Sequence, residues 1–185
     1  MKPELLQAEQ CCLYVIDPQE KLMAHIHEAE RVTRNIAMMI HFAGIMRLPV
    51  LANTQYRKGI GPIVAQLAEL LQGVPCHDKI CFNCLADTNT RRELKKLPHA
   101  VDTLLICGVE THICIYQSVI GALQQGYDVW VVADAVSSRS QLNDQLGRER
   151  LRDLGAIIAP AEMIIYELLQ KAGTDEFKAM HPFLK

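Results

Sequence analysis

The sequence has no apolar stretch near its start that could serve as a leader or an anchor. Met1 to Cys11 lacks the apolar core of a signal peptide, and the run Cys11 to Ile16 falls far short of the roughly 20 residues that span a bilayer. A soluble, cytoplasmic protein with no membrane partner is the expectation. An excess of positive charge is missing too. The 19 Lys and Arg stand against 21 Asp and Glu, a formal net charge of −2, so no global field draws in nucleic acid or an anionic surface. Basic residues do gather at Arg91, Arg92, Lys95 and Lys96, but at helical spacing beside Glu93, the pattern of a solvated helix face. No G-x-G-x-x-G or G-x-x-x-x-G-K-[ST] run follows a strand, which removes the usual phosphate cradles. Ser137, Ser138 and Ser140 do not sit in a G-x-S-x-G turn, which removes the common serine-hydrolase signature. Repeats, low-complexity tracts and linkers are also missing, so residues 1–185 are expected to form one domain.

What is present is an ordinary globular mixture, 50% hydrophobic and 22% charged, long enough for a sizeable core. Its seven cysteines are an odd number in a chain too long to need disulfide staples, so most should be reduced and buried. Apolar runs of strand length alternate with helical patterns. Cys12 to Ile16, Pro49 to Asn53, Thr103 to Val109, Asp128 to Asp134 and Ala156 to Ala159 read as strands. Helical spacing covers about Ala24 to Arg47, Ile63 to Leu71, Asp87 to Leu97, Ile113 to Gln125, Gln141 to Leu154 and Ala161 to Lys171. Strands without polar alternation, separated by helices, predict a parallel sheet covered on both faces. In such sheets ligands sit beyond the carboxyl ends of the strands, which directs attention to Asp17, Asn53, the segment after Val109, and Asp134.

The most informative stretch is Gly108-Val-Glu-Thr-His-Ile-Cys114. With Thr111 as N-cap, Cys114 falls in the first helical turn, where unsatisfied N–H groups and the helix dipole stabilise an anion. That placement predicts a lowered thiol pKa and amides able to hold an oxyanion. Packing as a small hydrophobe is the other use of such a cysteine. Asp17 alone fits a helix cap, and Lys79 alone fits a solvated loop. Together the three make a reaction. The carboxylate takes the thiol proton, the ammonium stabilises the thiolate, and the thiolate attacks a carbonyl carbon. The protonated carboxyl then delivers its proton to a leaving amine, and water hydrolyses the thioester.

At this point the sequence resembles the isochorismatase-like cysteine hydrolases. The resemblance covers nearly the whole chain and rests on Val15-Ile-Asp-Pro-Gln19, Asn53-Thr-Gln-Tyr-Arg-Lys-Gly59, Asp78-Lys-Ile-Cys-Phe82, the segment ending at Cys114, and Ala133-Asp-Ala-Val-Ser-Ser-Arg139. It implies a three-layer α/β/α fold with a doubly wound, mostly parallel six-stranded sheet of Rossmann-like type. It also implies a triad of Asp17, Lys79 and Cys114, a cis peptide between Val109 and Glu110, the amides of Glu110 and Cys114 as oxyanion hole, and a homo-oligomer. Gln19, Asn53, Tyr56, Phe82 and Thr111 are expected to shape the pocket for a small-molecule substrate. The Gly-containing loop Thr54 to Pro62 is a candidate lid. Metal-binding nicotinamidases of this superfamily carry an Asp and His set after the second strand, and Leu51 to Gly61 holds neither residue. Isochorismatases proper lack the nucleophilic cysteine, so Cys114 points to acyl chemistry on a small amide with no metal and no cofactor.

Other residues invite rival readings. Cys76, His77, Cys81 and Cys84 contain one C-x-x-C spacing but no second pair, and adjacent Cys76 and His77 are awkward as simultaneous zinc ligands. His25 and His27 fit surface positions, and His112 lies too close to Cys114 in sequence to be its partner. Met38, Met39 and Met46 fit the core. A non-enzymatic scaffold or redox-sensing protein on the same fold is the alternative function.

Overall fold

In the computed structural model, which describes residues 4–184, every strand pairs parallel to its neighbours. β1 (Cys11–Ile16) is followed by a short α1 (Glu20–Met23), the long α2 (Ala29–Met46) and β2 (Val50–Gln55). Next come α3 (Arg57–Ile60), α4 (Ala65–Leu70), β3 (Cys76–Lys79) and α5 (Thr88–Leu94). β4 (Thr103–Val109) leads through a wide turn, Thr111–Ile115, into α6 (Tyr116–Gln124). β5 (Asp128–Ser137), α7 (Gln141–Asp153), β6 (Ile157–Ala159), α8 (Ala161–Leu169) and α9 (Asp175–Met180) complete the order. The strand order is β3-β2-β1-β4-β5-β6, so the direction of winding reverses between β1 and β4, where an open α/β sheet forms its ligand crevice.

β1 shows why the sheet lies in the middle layer. All six of its residues are buried, and successive side chains point to opposite faces. Cys11, Leu13 and Val15 join the core formed with Ile36, Met39, Ile164 and Leu168 of α2 and α8. Cys12, Tyr14 and Ile16 join a second core with Leu94, Val119 and Leu151 of α5, α6 and α7. The doubly wound three-layer expectation holds, with a six-stranded sheet that is parallel throughout. Among the described residues, no helix is long and apolar enough to cross a membrane.

Several boundaries differ from the sequence expectation. The pattern starting at Ala24 begins its long helix only at Ala29, after Glu28 takes a left-handed conformation (φ 53°) that breaks the helix from α1. β2 runs on to Gln55 because Thr54 and Gln55 pair with Asp78 and Lys79 of β3. The segment ending at Lys79, which alone fits a solvated loop, is instead the strand β3. It is a polar edge strand in which only Lys79 is buried, so it carries no apolar run to detect. α9 lies beyond the last expected helix; Thr174 caps it, its hydroxyl oxygen accepting from the Phe177 amide at 3.1 Å.

Candidate active site

Asp17, Lys79 and Cys114 come from three different strand ends and meet at the reversal point. Asp17 follows β1 in the left-handed region (φ 52°), where Asp is better tolerated than most residues. Its amide donates to the Asn53 carbonyl at 3.1 Å, tying the end of β1 to β2. Lys79 ends β3, and its Nζ donates to Asp17 Oδ2 at 2.8 Å and to Gln55 Oε1 at 2.7 Å, with Cys114 Sγ at 3.9 Å. Both members of the Lys79–Asp17 ion pair are wholly buried. Asp17 Oδ1 is buried without a hydrogen-bond partner among the described residues, an oxygen free to take a proton.

The turn that carries Cys114 is built by close approach. Gly108 has φ 120°, and a Cβ there would lie 1.9 Å from the Ile16 carbonyl oxygen, so only glycine lets β4 pass this close to β1. The Val109–Glu110 peptide is cis, as the resemblance implied. The Glu110 carbonyl accepts from the amides of Ile113 at 3.0 Å and Ile115 at 3.2 Å, the residues flanking Cys114. The second of these bonds is a π-type turn, a form that recurs at functional sites. Thr111 is therefore not the N-cap that the sequence suggested. It lies inside the turn, fully buried, and its hydroxyl donates to Asp144 Oδ1 at 2.6 Å. The reason is tertiary: Gly147 lets α7 lie against the turn, where a Cβ would come 3.1 Å from Thr111 Cγ2, and this brings Asp144 within reach of the hydroxyl. Arg148 binds the other oxygen of Asp144. His112 pairs with Ser138 Oγ at 2.8 Å and lies 3.4 Å from Asn143 Nδ2, held toward α7.

The electrostatics correct a second expectation. The Cys114 thiol is pushed up, not down. Burial is the largest cause and the Asp17 charge adds to it, while Lys79 pulls the other way. Burial likewise raises the Asp17 carboxyl above its ordinary range, against the opposing charge and hydrogen bond of Lys79. A helix terminus was expected to dominate; desolvation dominates instead, because the turn is packed between the sheet and two helices. Burial thus works against a charge on the sulfur and on the Asp17 carboxyl alike.

Of the other expected site residues, Gln19, Asn53 and Thr111 are buried and bonded within the protein. Gln19 Nε2 donates to the carbonyls of Gln55 (3.1 Å) and Gly61 (2.7 Å). Asn53 accepts from the Tyr14 hydroxyl and donates to His77 O at 2.8 Å and Thr90 Oγ1 at 3.0 Å. Tyr56 and Phe82 are half exposed, with Ile80 more exposed still. Two residues escaped the sequence reading. Gln55 was inside a quoted motif but had no assigned partner. Glu110 was noted only for its amide, yet its carboxylate accepts from the Arg139 amide at 2.9 Å and from Arg139 Nη2 at 2.7 Å. A cavity of about 500 Å³ opens beside Glu110, lined by Lys21, Leu22, His25, Ile26 and Arg139. Cys76, His77, Cys81 and Cys84 do not gather: among the described residues no three His, Cys, Asp or Glu are placed to hold one metal ion.

The family model for the isochorismatase domain matches residues 11–163. The chain is 34% identical over 176 residues to the secreted isochorismatase effector Isc1 of Phytophthora sojae, covering 94% of this chain and 83% of that protein. Among solved structures it is similar to the MAR1 ribonuclease of Caenorhabditis elegans, at 30% identity and a TM-score of 0.90, covering 98% of this chain and 92% of that one. It also shares its fold with the YcaC gene product of Escherichia coli, described as an octameric hydrolase of unknown specificity, at 21% identity and a TM-score of 0.92 over 100% of this chain and 91% of that one.

Proposed function

The chain belongs to the isochorismatase family, and we propose that within it this protein is a cysteine hydrolase acting on a small amide. The observation that carries the reading is the buried Lys79 ammonium, 2.8 Å from Asp17 Oδ2 and 3.9 Å from Cys114 Sγ. A carboxylate, an ammonium and a thiol held dry in one place are the parts that acyl transfer through a thioester needs. Substrate enters with the sulfur still protonated. As Sγ attacks the carbonyl carbon, its proton passes to Asp17, and the amides of Glu110 and Cys114 receive the oxyanion. The C–N bond then breaks, Asp17 protonates the departing amine, and water cleaves the thioester by the reverse proton route.

The raised thiol pKa suits this order. Burial keeps the nucleophile neutral, so a reactive thiolate forms only when a substrate carbonyl is in place to accept its electrons. The cavity beside Glu110, whose amide is assigned to the oxyanion hole in this reading, has a size that suits a small molecule. We read the protein as a homo-oligomer, supported by the octameric Escherichia coli relative and by the exposed Tyr56, Ile80 and Phe82 near the end of β3. A cytoplasmic location fits its free cysteines.

The test is a panel of small amides with intact-mass detection of a covalent intermediate. Acylation of Cys114 in wild type, absent in Cys114→Ala, is the expected result. If no amide acylates Cys114, and its alkylation does not respond to Lys79→Met, the nucleophile reading falls and the scaffold or sensor reading replaces it.

A further inference from the structure

An ammonium group has three N–H donors in fixed tetrahedral relation, so holding two of them aims the third. In Lys79 the two short bonds go to Asp17 Oδ2 at 2.8 Å and Gln55 Oε1 at 2.7 Å, and the third, longer contact of Nζ is to Cys114 Sγ at 3.9 Å. Gln55 is Lys79's register partner across β2 and β3. It is itself fixed at every polar point. Its Nε2 donates to the Ile80 carbonyl at 2.6 Å, which turns Oε1 toward the ammonium. Its backbone N–H donates to Gln19 Oε1 at 2.6 Å, and its carbonyl accepts from Gln19 Nε2 at 3.1 Å. The Tyr56 amide then bonds the Lys79 carbonyl at 2.9 Å, closing the frame around both residues.

We infer that Gln55 is a positioning residue for Lys79: its neutral, buried carbonyl oxygen anchors the ammonium so that the third N–H faces the Cys114 sulfur. The inference deepens the proposed function and rests on Cys114 as nucleophile. Lysine has a flexible four-carbon stem, and a single bond to Asp17 would leave its ammonium free to turn. A carboxylate at position 55 would also anchor it, but would cancel the charge that the thiolate needs. An amide supplies the hydrogen bond without adding charge.

The experiment is site-resolved alkylation by iodoacetamide as a function of pH, in wild type, Gln55→Met, Gln55→Glu and Lys79→Met, with Cys76 and Cys81 as internal controls and urea unfolding alongside. Gln55→Met is expected to move the Cys114 profile up by about one pH unit, an about tenfold slower reaction at any pH below the midpoint. The Cys76 and Cys81 rates stay unchanged. A merely structural role would lower the urea midpoint and leave the profile in place. An unmoved or lowered Gln55→Met profile, in a protein whose Lys79→Met profile does rise, overturns the inference and leaves the proposed function standing. If Lys79→Met also leaves the profile unmoved, it is the nucleophile reading that fails. Should Gln55→Met not fold, Gln55→Glu decides, since it keeps an acceptor for Lys79. Its Cys114 profile must rise at least as far, and an unmoved or lowered one overturns the inference.

Discussion

Cys107 and Cys114 are both buried thiols, one inside β4 and one in the turn just beyond it, and both are pushed well above the ordinary thiol range. For Cys107 burial is the whole cause, and its Sγ does no more than approach the Tyr14 carbonyl at 3.8 Å. For Cys114 burial is joined by two opposing charges, Asp17 raising it and Lys79 lowering it. Burial alone makes an inert sulfur. What separates the two sites is a carboxylate and an ammonium within reach, so the contrast is one of neighbours rather than of exposure.

The strongest way to break that contrast is Lys79→Met. It leaves Asp17 buried without its counter-ion, and removing one partner of a buried pair typically destabilises by about 3–5 kcal/mol. Urea unfolding should show that loss, and alkylation of Cys114 should fall toward the rate of Cys107. Asp17→Asn should act on the same thiol with the opposite sign. It removes a charge that raises the sulfur, so the alkylation profile moves to lower pH, by about one unit or more, while the amide turnover we propose is lost for want of a proton acceptor. A shift of both variants in one direction would contradict the assigned roles.

Cys107→Ala sharpens the comparison from the other side. Deleting one buried heavy atom should lower stability by about 1 kcal/mol and leave the Cys114 profile where it was. The smallest effect is expected at Arg139, whose side chain is 62% exposed, so Arg139→Gln should lower stability by less than about 1 kcal/mol. Its pH dependence is the useful part. Burial opposes ionisation of Glu110, but the Arg139 bonds win and hold the carboxyl below its ordinary value. A depressed folded-state pKa contributes stability above the unfolded value, about 4.3, and loses it as pH falls through the folded one. Wild type and Arg139→Gln should therefore differ in thermal midpoint at pH 6 and above and converge under acid, as scanning calorimetry can check.

The parts of the site legible in the sequence were those with local signals. β4 was read to its boundaries because its seven residues are all buried and continuous. The motif ending at Cys114 stood out because a strand, a turn and a helix follow one another without interruption. Gln55 and β3 were not legible for one reason. A polar edge strand has no apolar run, and Gln55 joins the site only through pairing with it. The Glu110–Arg139 bond and the Thr111–Asp144 bond join residues 29 and 33 positions apart, a separation over which no spacing rule operates.

The order of apolar runs by itself determined a parallel sheet with helices on both faces, because strands buried on two sides must be apolar along their whole length. The sequence also contained the acid, the ammonium and the thiol, and the strand ends on which two of them lie. Only the tertiary structure decided what these groups do to one another. The sign of the thiol shift is the balance of desolvation against two charges, and the aim of the ammonium depends on which neutral oxygen shares it. Both are set by contacts across strands far apart in the chain, where energy depends on distance in space and leaves no period in the sequence.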